Sequence, residues 1–276
     1  MTNSDPYPSI PLLLKRYGLK PSKGLGQNFL ADPVALNRVI EAAGISPEDT
    51  VLEVGPGLGS LTRLLADNTR RVVAVEIDRK MVSALGDLLS HFENVELIQA
   101  DILEVDLGKL FPSGDYLVAA NIPYYITSAL LRHLLEAPNP PTRLILTVQK
   151  EVAERICAKT GKLSLLALSV QVYGRPIIAA KIPAGAFYPA PKVDSAVVRI
   201  DLYAQPLIPE ERLKDFFRLI KAGFSQKRKT LRNSVSAGMR WSTEETEKLL
   251  GAAGIDPQRR AQTLSIDEWR SLVDQM

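Results

Sequence analysis

The chain has 276 residues, 46% of them hydrophobic, enough for one large domain with its own core and a smaller one beside it. A net charge of +3 is too small for composition alone to name a polyanionic partner. The single cysteine, Cys157, excludes an internal disulfide and a cysteine-rich metal site; no metal is expected, and a composition poor in Cys and His fits a reducing cytoplasm.

Residues 1–22 read as a partly ordered extension. Leu12, Leu13 and Leu14 are apolar, but Lys15 and Arg16 end the run before it reaches the length of a signal-peptide core or a membrane span, so no membrane association is expected. Residues 23–30 then form a loop, and Asp32 with Pro33 opens the first core helix as a cap and a first-turn proline. From residue 50 to 146, short apolar runs at 51–54, 71–75, 95–98, 116–120 and 144–148 alternate with longer helical patterns. That order predicts a parallel sheet covered on both faces, a doubly wound α/β domain. Residues 163–172 are apolar enough for a buried helix or strand, and residues 195–200 read as a strand reached through the proline-rich stretch 183–191. These pieces are expected to extend the same sheet, with antiparallel strands at one edge. A boundary is placed near residue 204, giving an α/β domain over 23–204 and a small all-α domain over 205–276 with helices at 210–222, 243–253 and 266–273.

The first strand runs into Glu53, Gly55, Pro56, Gly57, Gly59 and Ser60, a turn whose glycines let backbone approach a ligand before a helix begins. The second strand ends in Glu76, where a carboxylate can accept both hydroxyls of a ribose. The third ends near Asp101, which can accept from an adenine amine or merely cap a helix. Together they point to an adenosine-containing cofactor. A dinucleotide is disfavoured: the third glycine comes one residue early, Pro56 sits inside the turn, and Ser60 stands where the last glycine belongs. The set Glu53, Gly55, Gly57, Gly59, Glu76 and Asp101 resembles the class I S-adenosylmethionine-dependent methyltransferases, a Rossmann-like fold.

The fourth strand ends in Asn121-Ile122-Pro123-Tyr124. An exocyclic adenine amine is a poor nucleophile because its lone pair is delocalised. Accepting its hydrogens on the Asn121 oxygen and on the Ile122 or Pro123 carbonyl turns that lone pair toward a methyl donor, and Tyr124 would stack on the base at about 1 to 3 kcal/mol. The bland alternative is a proline turn with Tyr124 in the core. Likewise, Phe187 heads a proline-pinned loop and either faces the base from the other side or simply enters an edge strand.

In order, GLGQNFL (24–30), EVGPGLGSLT (53–62), NIPY (121–124) and FYPAPKVDSAV (187–197) resemble the ribosomal RNA adenine dimethyltransferase family, and its small-subunit (KsgA-type) members most closely. The resemblance covers nearly everything from Lys23 onward. It implies S-adenosyl-L-methionine as cofactor, held by Asn28, Leu30, Gly55, Glu76, Asp101 and Asn121, with Asn121 also touching the target amine. It further implies dimethylation of two adjacent adenosines in the hairpin near the 3′ end of small-subunit rRNA, late in subunit assembly, by a cytoplasmic monomer. Large-subunit methylases of the macrolide-resistance type share the first motifs, but residues 224–233 resemble the small-subunit enzymes. There Lys221, Lys227, Arg228, Lys229 and Arg232 form a basic cluster without an intervening acid, either an RNA contact or a solvated face. A non-catalytic assembly factor on this fold would be expected to show damage at Glu76 or Asn121, and both residues are intact.

Overall fold

A computed structural model describes residues 8–113 and 115–276, with Tyr124 described for its backbone only. In chain order the elements begin α1 (Ile10–Arg16), β1 (Phe29–Leu30), α2 (Pro33–Ala43), β2 (Thr50–Val54), α3 (Ser60–Asn68), β3 (Arg71–Glu76), α4 (Arg79–Leu88) and β4 (Val95–Gln99). They continue α5 (Leu107–Leu110), β5 (Leu117–Asn121), α6 (Thr127–Leu135), β6 (Arg143–Gln149), α7 (Lys150–Ile156), α8 (Leu165–Gln171), β7 (Gly174–Ile182), β8 (Phe187–Tyr188) and β9 (Ser195–Leu202). The last four are α9 (Glu210–Phe224), α10 (Leu231–Met239), α11 (Thr243–Ala252) and α12 (Ile266–Asp274).

Seven strands form one sheet in the order β4-β3-β2-β5-β6-β9-β7. The five from β4 to β6 run parallel and β9 is antiparallel to β6. Parallel strands joined by helices are covered on both faces and read as near-continuous apolar runs. All five residues of β2 are buried for that reason. On one face Val51, Leu117 and Ile145 pack with Leu36 and Val39 of α2 and Leu61 and Leu65 of α3; the alternate residues Leu52, Val118 and Leu146, pointing to the other face, are as deeply buried. The chain returns to the middle of the sheet after β4, so the strand order reverses between β2 and β5. In an open α/β sheet that reversal leaves a crevice at the carboxyl ends of the strands.

The chain divides into two units, one of Met1–Ala153 with Ile177–Leu202, the other of Glu154–Pro176 with Tyr203–Met276. Two sequence-based boundaries change accordingly. Residues 163–172 do not extend the sheet: Ser164 caps a helix by accepting the Ala167 N–H at 3.2 Å, and α8 buries Ala167, Leu168 and Val170 in the second unit. The N-terminal extension, where described, is helix α1, whose Ile10, Leu13 and Leu14 are buried with Phe29, Leu58, Met81 and Ala84. Residues 1–7 lie outside the described residues. In the second unit, α11 and α12 each begin with a capping box, Ser242 with Glu245 and Ser265 with Glu268, which satisfies backbone donors that would otherwise lack partners. Trp269, Phe216 and Leu219 are buried there, and an Arg259–Glu268 ion pair ties the start of α12 to the preceding loop. No helix among the described residues is long and apolar enough to cross a membrane.

Candidate active site

A cavity of about 240 Å³ occupies the crevice in the first unit, lined by the ends of β2, β3 and β5 and the turn after β4. Gly55, Glu76, Asp101, Asn28 and Asn121 all line it, so five of the residues singled out from sequence meet in one place although 93 residues separate Asn28 from Asn121.

The glycine turn earns its composition by contact. Gly57 has φ +61°, and a Cβ there would lie 2.7 Å from the Phe29 ring, so any side chain would expel that ring. Glu76, only 5% exposed, stands at the end of β3 with both oxygens engaged: Gly57 N–H donates to Oε2 at 3.2 Å and Asp78 N–H to Oε1 at 2.9 Å. Burial raises its pKa above the usual carboxylate value, and the two N–H donors oppose that rise. Asp101 does two things at once. Its Oδ1 accepts the Leu103 N–H at 2.9 Å, as a cap does, while the residue lines the cavity. Ile77 and Ile102 supply apolar walls beside these carboxylates. Two acids, a glycine-rich turn and apolar walls suit an adenosine with its ribose hydroxyls, and so fit S-adenosylmethionine.

Asn121 ends β5, where its Nδ2 donates to the Asn28 carbonyl at 2.9 Å. This contact fixes the orientation of the amide and turns Oδ1, an acceptor with no partner among the described residues, away from the Asn28 carbonyl. The turn that follows is pinned by the Ile122 N–H donating to the Thr147 carbonyl at 3.3 Å and the Ile126 N–H donating to the Pro123 carbonyl at 3.1 Å.

Glu53 sits two residues before Gly55 and does not line the cavity. It is 2% exposed, and its Oε2 has no hydrogen-bond partner among the described residues. Burial pushes its pKa up from 4.5 to about 8, with the nearby Glu76 charge adding to the rise and Arg63 opposing it. The folded state therefore holds a proton that the unfolded chain releases above about 4.5. Stability from this group is complete below that pH and is lost as pH rises through about 8, at up to roughly 1.4 kcal/mol per pH unit. Glu53→Gln, uncharged throughout, is expected to remove that slope. Thermal melting at pH 5, 6.5 and 8 reads it, and equal slopes in the two proteins would refute the protonated assignment.

Leu30, Phe187 and the basic residues of the second unit do not line the cavity. Leu30 pairs with Phe187 in the β1–β8 ribbon and joins the core. Phe187 is 4% exposed in that same core and does not face the cavity, because alternation along β8 turns Phe187 inward and Tyr188 outward. The Tyr124 side chain lies outside the described residues. In the second unit Lys221, Lys227, Arg228 and Lys229 are exposed at the end of α9 and in the connection to α10. Arg232 is the exception, half-buried and donating to Glu247 on α11 at 3.0 Å, so its charge is already met.

Two cavity residues were given no role from the sequence. Gln27 lines it and donates to Asp78 at 3.0 Å. Tyr125 lines it at 62% exposure, an aromatic beside the NIPY turn that neighbouring position alone would have flagged.

The sheet order, the crevice and the acids at the strand ends define a class I S-adenosylmethionine-dependent methyltransferase. A family model described as ribosomal RNA adenine dimethylase matches residues 18–276, and the chain belongs to that family. It is 47% identical over 264 residues to a ribosomal RNA small subunit methyltransferase A of Dehalococcoides mccartyi (strain CBDB1), covering 94% of this chain and 90% of the relative. Among solved structures it is similar to the 23S rRNA methyltransferase ErmE, at TM-score 0.72 and 30% identity over 90% of this chain and 99% of that one. A dimethyladenosine transferase from Plasmodium falciparum superposes with TM-score 0.76 at 26% identity, covering 88% of this chain and 95% of that one.

Proposed function

We propose that this chain dimethylates the exocyclic amines of two adjacent adenosines in the hairpin near the 3′ end of small-subunit rRNA, acting as a cytoplasmic monomer on an immature subunit. The observation that carries the reading is the orientation of Asn121. With its Nδ2 held by the Asn28 carbonyl, its Oδ1 is left to accept from an amine at the end of the cavity. The Pro123 carbonyl already accepts from Ile126, which favours the Ile122 carbonyl as the second acceptor. Two acceptors on one amine pyramidalise the nitrogen and aim its lone pair, so positioning and electrostatics do most of the work. S-adenosylmethionine supplies an electrophilic methyl group on a sulfonium that leaves as a neutral thioether. Asn28, Gly55, Glu76 and Asp101 are the residues that would hold it, Glu76 through the ribose hydroxyls. No dedicated base is needed, since the ammonium formed on an adenine is strongly acidic.

The small subunit is favoured over the large because the small-subunit relative is 47% identical and the 23S enzyme 30%. Incubation with S-adenosylmethionine and undermethylated small subunits is expected to yield N6,N6-dimethyladenosine on nucleoside analysis, and its absence would refute the reading. Glu76→Ala is expected to weaken cofactor binding about 10- to 150-fold by calorimetry, the equivalent of a lost charge-assisted hydrogen bond. Unchanged affinity would remove Glu76 from the ribose.

A further inference from the structure

Residues 25–28 form a strap along the cavity wall, held at several points among the described residues. The Gln27 side chain bridges two segments: its Oε1 accepts the Ser22 N–H at 2.8 Å and its Nε2 donates to Asp78 Oδ2 at 3.0 Å. Asp78 is itself fixed, because its Oδ1 accepts the Lys80 N–H at 2.9 Å as the cap of α4. One residue further along, the Asn28 carbonyl accepts from Asn121. Gly26, at φ +61°, runs so close to the NIPY turn that a Cβ would sit 3.4 Å from Pro123 and 3.6 Å from the Tyr125 ring. Phe29, which follows the strap, seats its ring against Gly57 of the glycine turn. Leu25, Gly26, Gln27 and Asn28 of this strap all line the cavity.

We propose that Gln27 is a positioning residue that latches this strap shut through Asp78. The latch does two jobs because the strap touches both ends of the cavity. Over the cofactor end, leaving requires the Gln27–Asp78 bond to break. At the acceptor end, the closed strap presents the Asn28 carbonyl that keeps the Asn121 oxygen turned toward the amine. Opening the latch therefore speeds cofactor loss and frees the Asn121 amide to rotate, which slows transfer without touching the RNA contacts. The proposal rests on the reading of the cavity as the S-adenosylmethionine site.

A donor–acceptor exchange tests it. Gln27→Glu keeps the acceptor for Ser22 but sets a carboxylate against Asp78, whereas Gln27→Glu with Asp78→Asn restores one donor facing one acceptor and leaves the α4 cap in place. Gln27→Ala removes the bond without adding charge. Four readings are taken on each full-length protein: the dissociation rate of S-adenosylmethionine, kcat and KM on undermethylated small subunits, and the melting temperature. Gln27→Glu and Gln27→Ala are expected to raise the dissociation rate about 10- to 150-fold, the loss of one charge-assisted hydrogen bond. Their kcat should fall about tenfold or more, with KM for the subunit nearly unchanged and the melting temperature lower by only a few degrees. The double variant should recover both the dissociation rate and kcat. Normal dissociation in the single variants, or a double variant no better than Gln27→Glu, would overturn the latch. A wild-type protein that binds no S-adenosylmethionine would instead overturn the cofactor reading beneath it.

Discussion

Asn121→Ala is expected to lower kcat about 100- to 1000-fold, the range seen when one preorganised polar contact to a reacting group is removed. The loss should fall on kcat because the contact to the amine strengthens as the nitrogen becomes pyramidal, while subunit affinity should stay near wild type. Little collateral damage to the fold is expected: the Asn121 side chain is tied to one backbone carbonyl, Asn28, and β5 is held by its ladders to β2 and β6. Single-turnover methyl transfer with a parallel subunit-binding measurement separates the two quantities. Normal turnover in this variant would leave the cavity without its acceptor grip and the proposed mechanism without its central group.

The second large effect is electrostatic. Removing the charges of Lys227, Arg228 and Lys229 together should flatten the dependence of log affinity on log salt by about 2 to 3, and weaken subunit binding on the order of 100-fold at 0.1 M salt. All three are exposed and lie in the α9–α10 connection, so they are free to meet phosphates and their loss disturbs no core. Arg232 serves as the contrast. Since it donates to Glu247, its replacement is expected to change the salt slope less than any one of the other three. Binding isotherms from 50 to 500 mM salt, in about five steps, resolve such slopes. A slope unaltered by the triple change would mean that the cluster is a solvated face.

Much of this site could be read from the chain because its chemistry sits at strand ends. A parallel strand is announced by its β-branched run, and the residue after it must lie at the carboxyl edge of the sheet, where ligands bind. Gly55, Glu76, Asp101 and Asn121 are all placed by that rule. What stayed hidden depends on partners remote in sequence. Gln27 bonds a residue 51 positions away, and nothing in the spacing of a loop glutamine reveals its acceptor. Phe187 heads a two-residue strand, too short for alternation to show which side faces the core; its register with Leu30 settles that. The apolar residues of α8 announce burial without saying against what, and the second unit takes them. Arg232 looks like its neighbours in sequence and differs only because α11 brings Glu247 within reach.

One labelling experiment decides which RNA is methylated. The protein is incubated with methyl-labelled S-adenosylmethionine and, separately, undermethylated small subunits and large-subunit rRNA, and the labelled nucleotides are mapped. The prediction is dimethyl label on two adjacent adenosines near the 3′ end of small-subunit rRNA and none on large-subunit rRNA. Label confined to large-subunit rRNA, or label on neither, would contradict it.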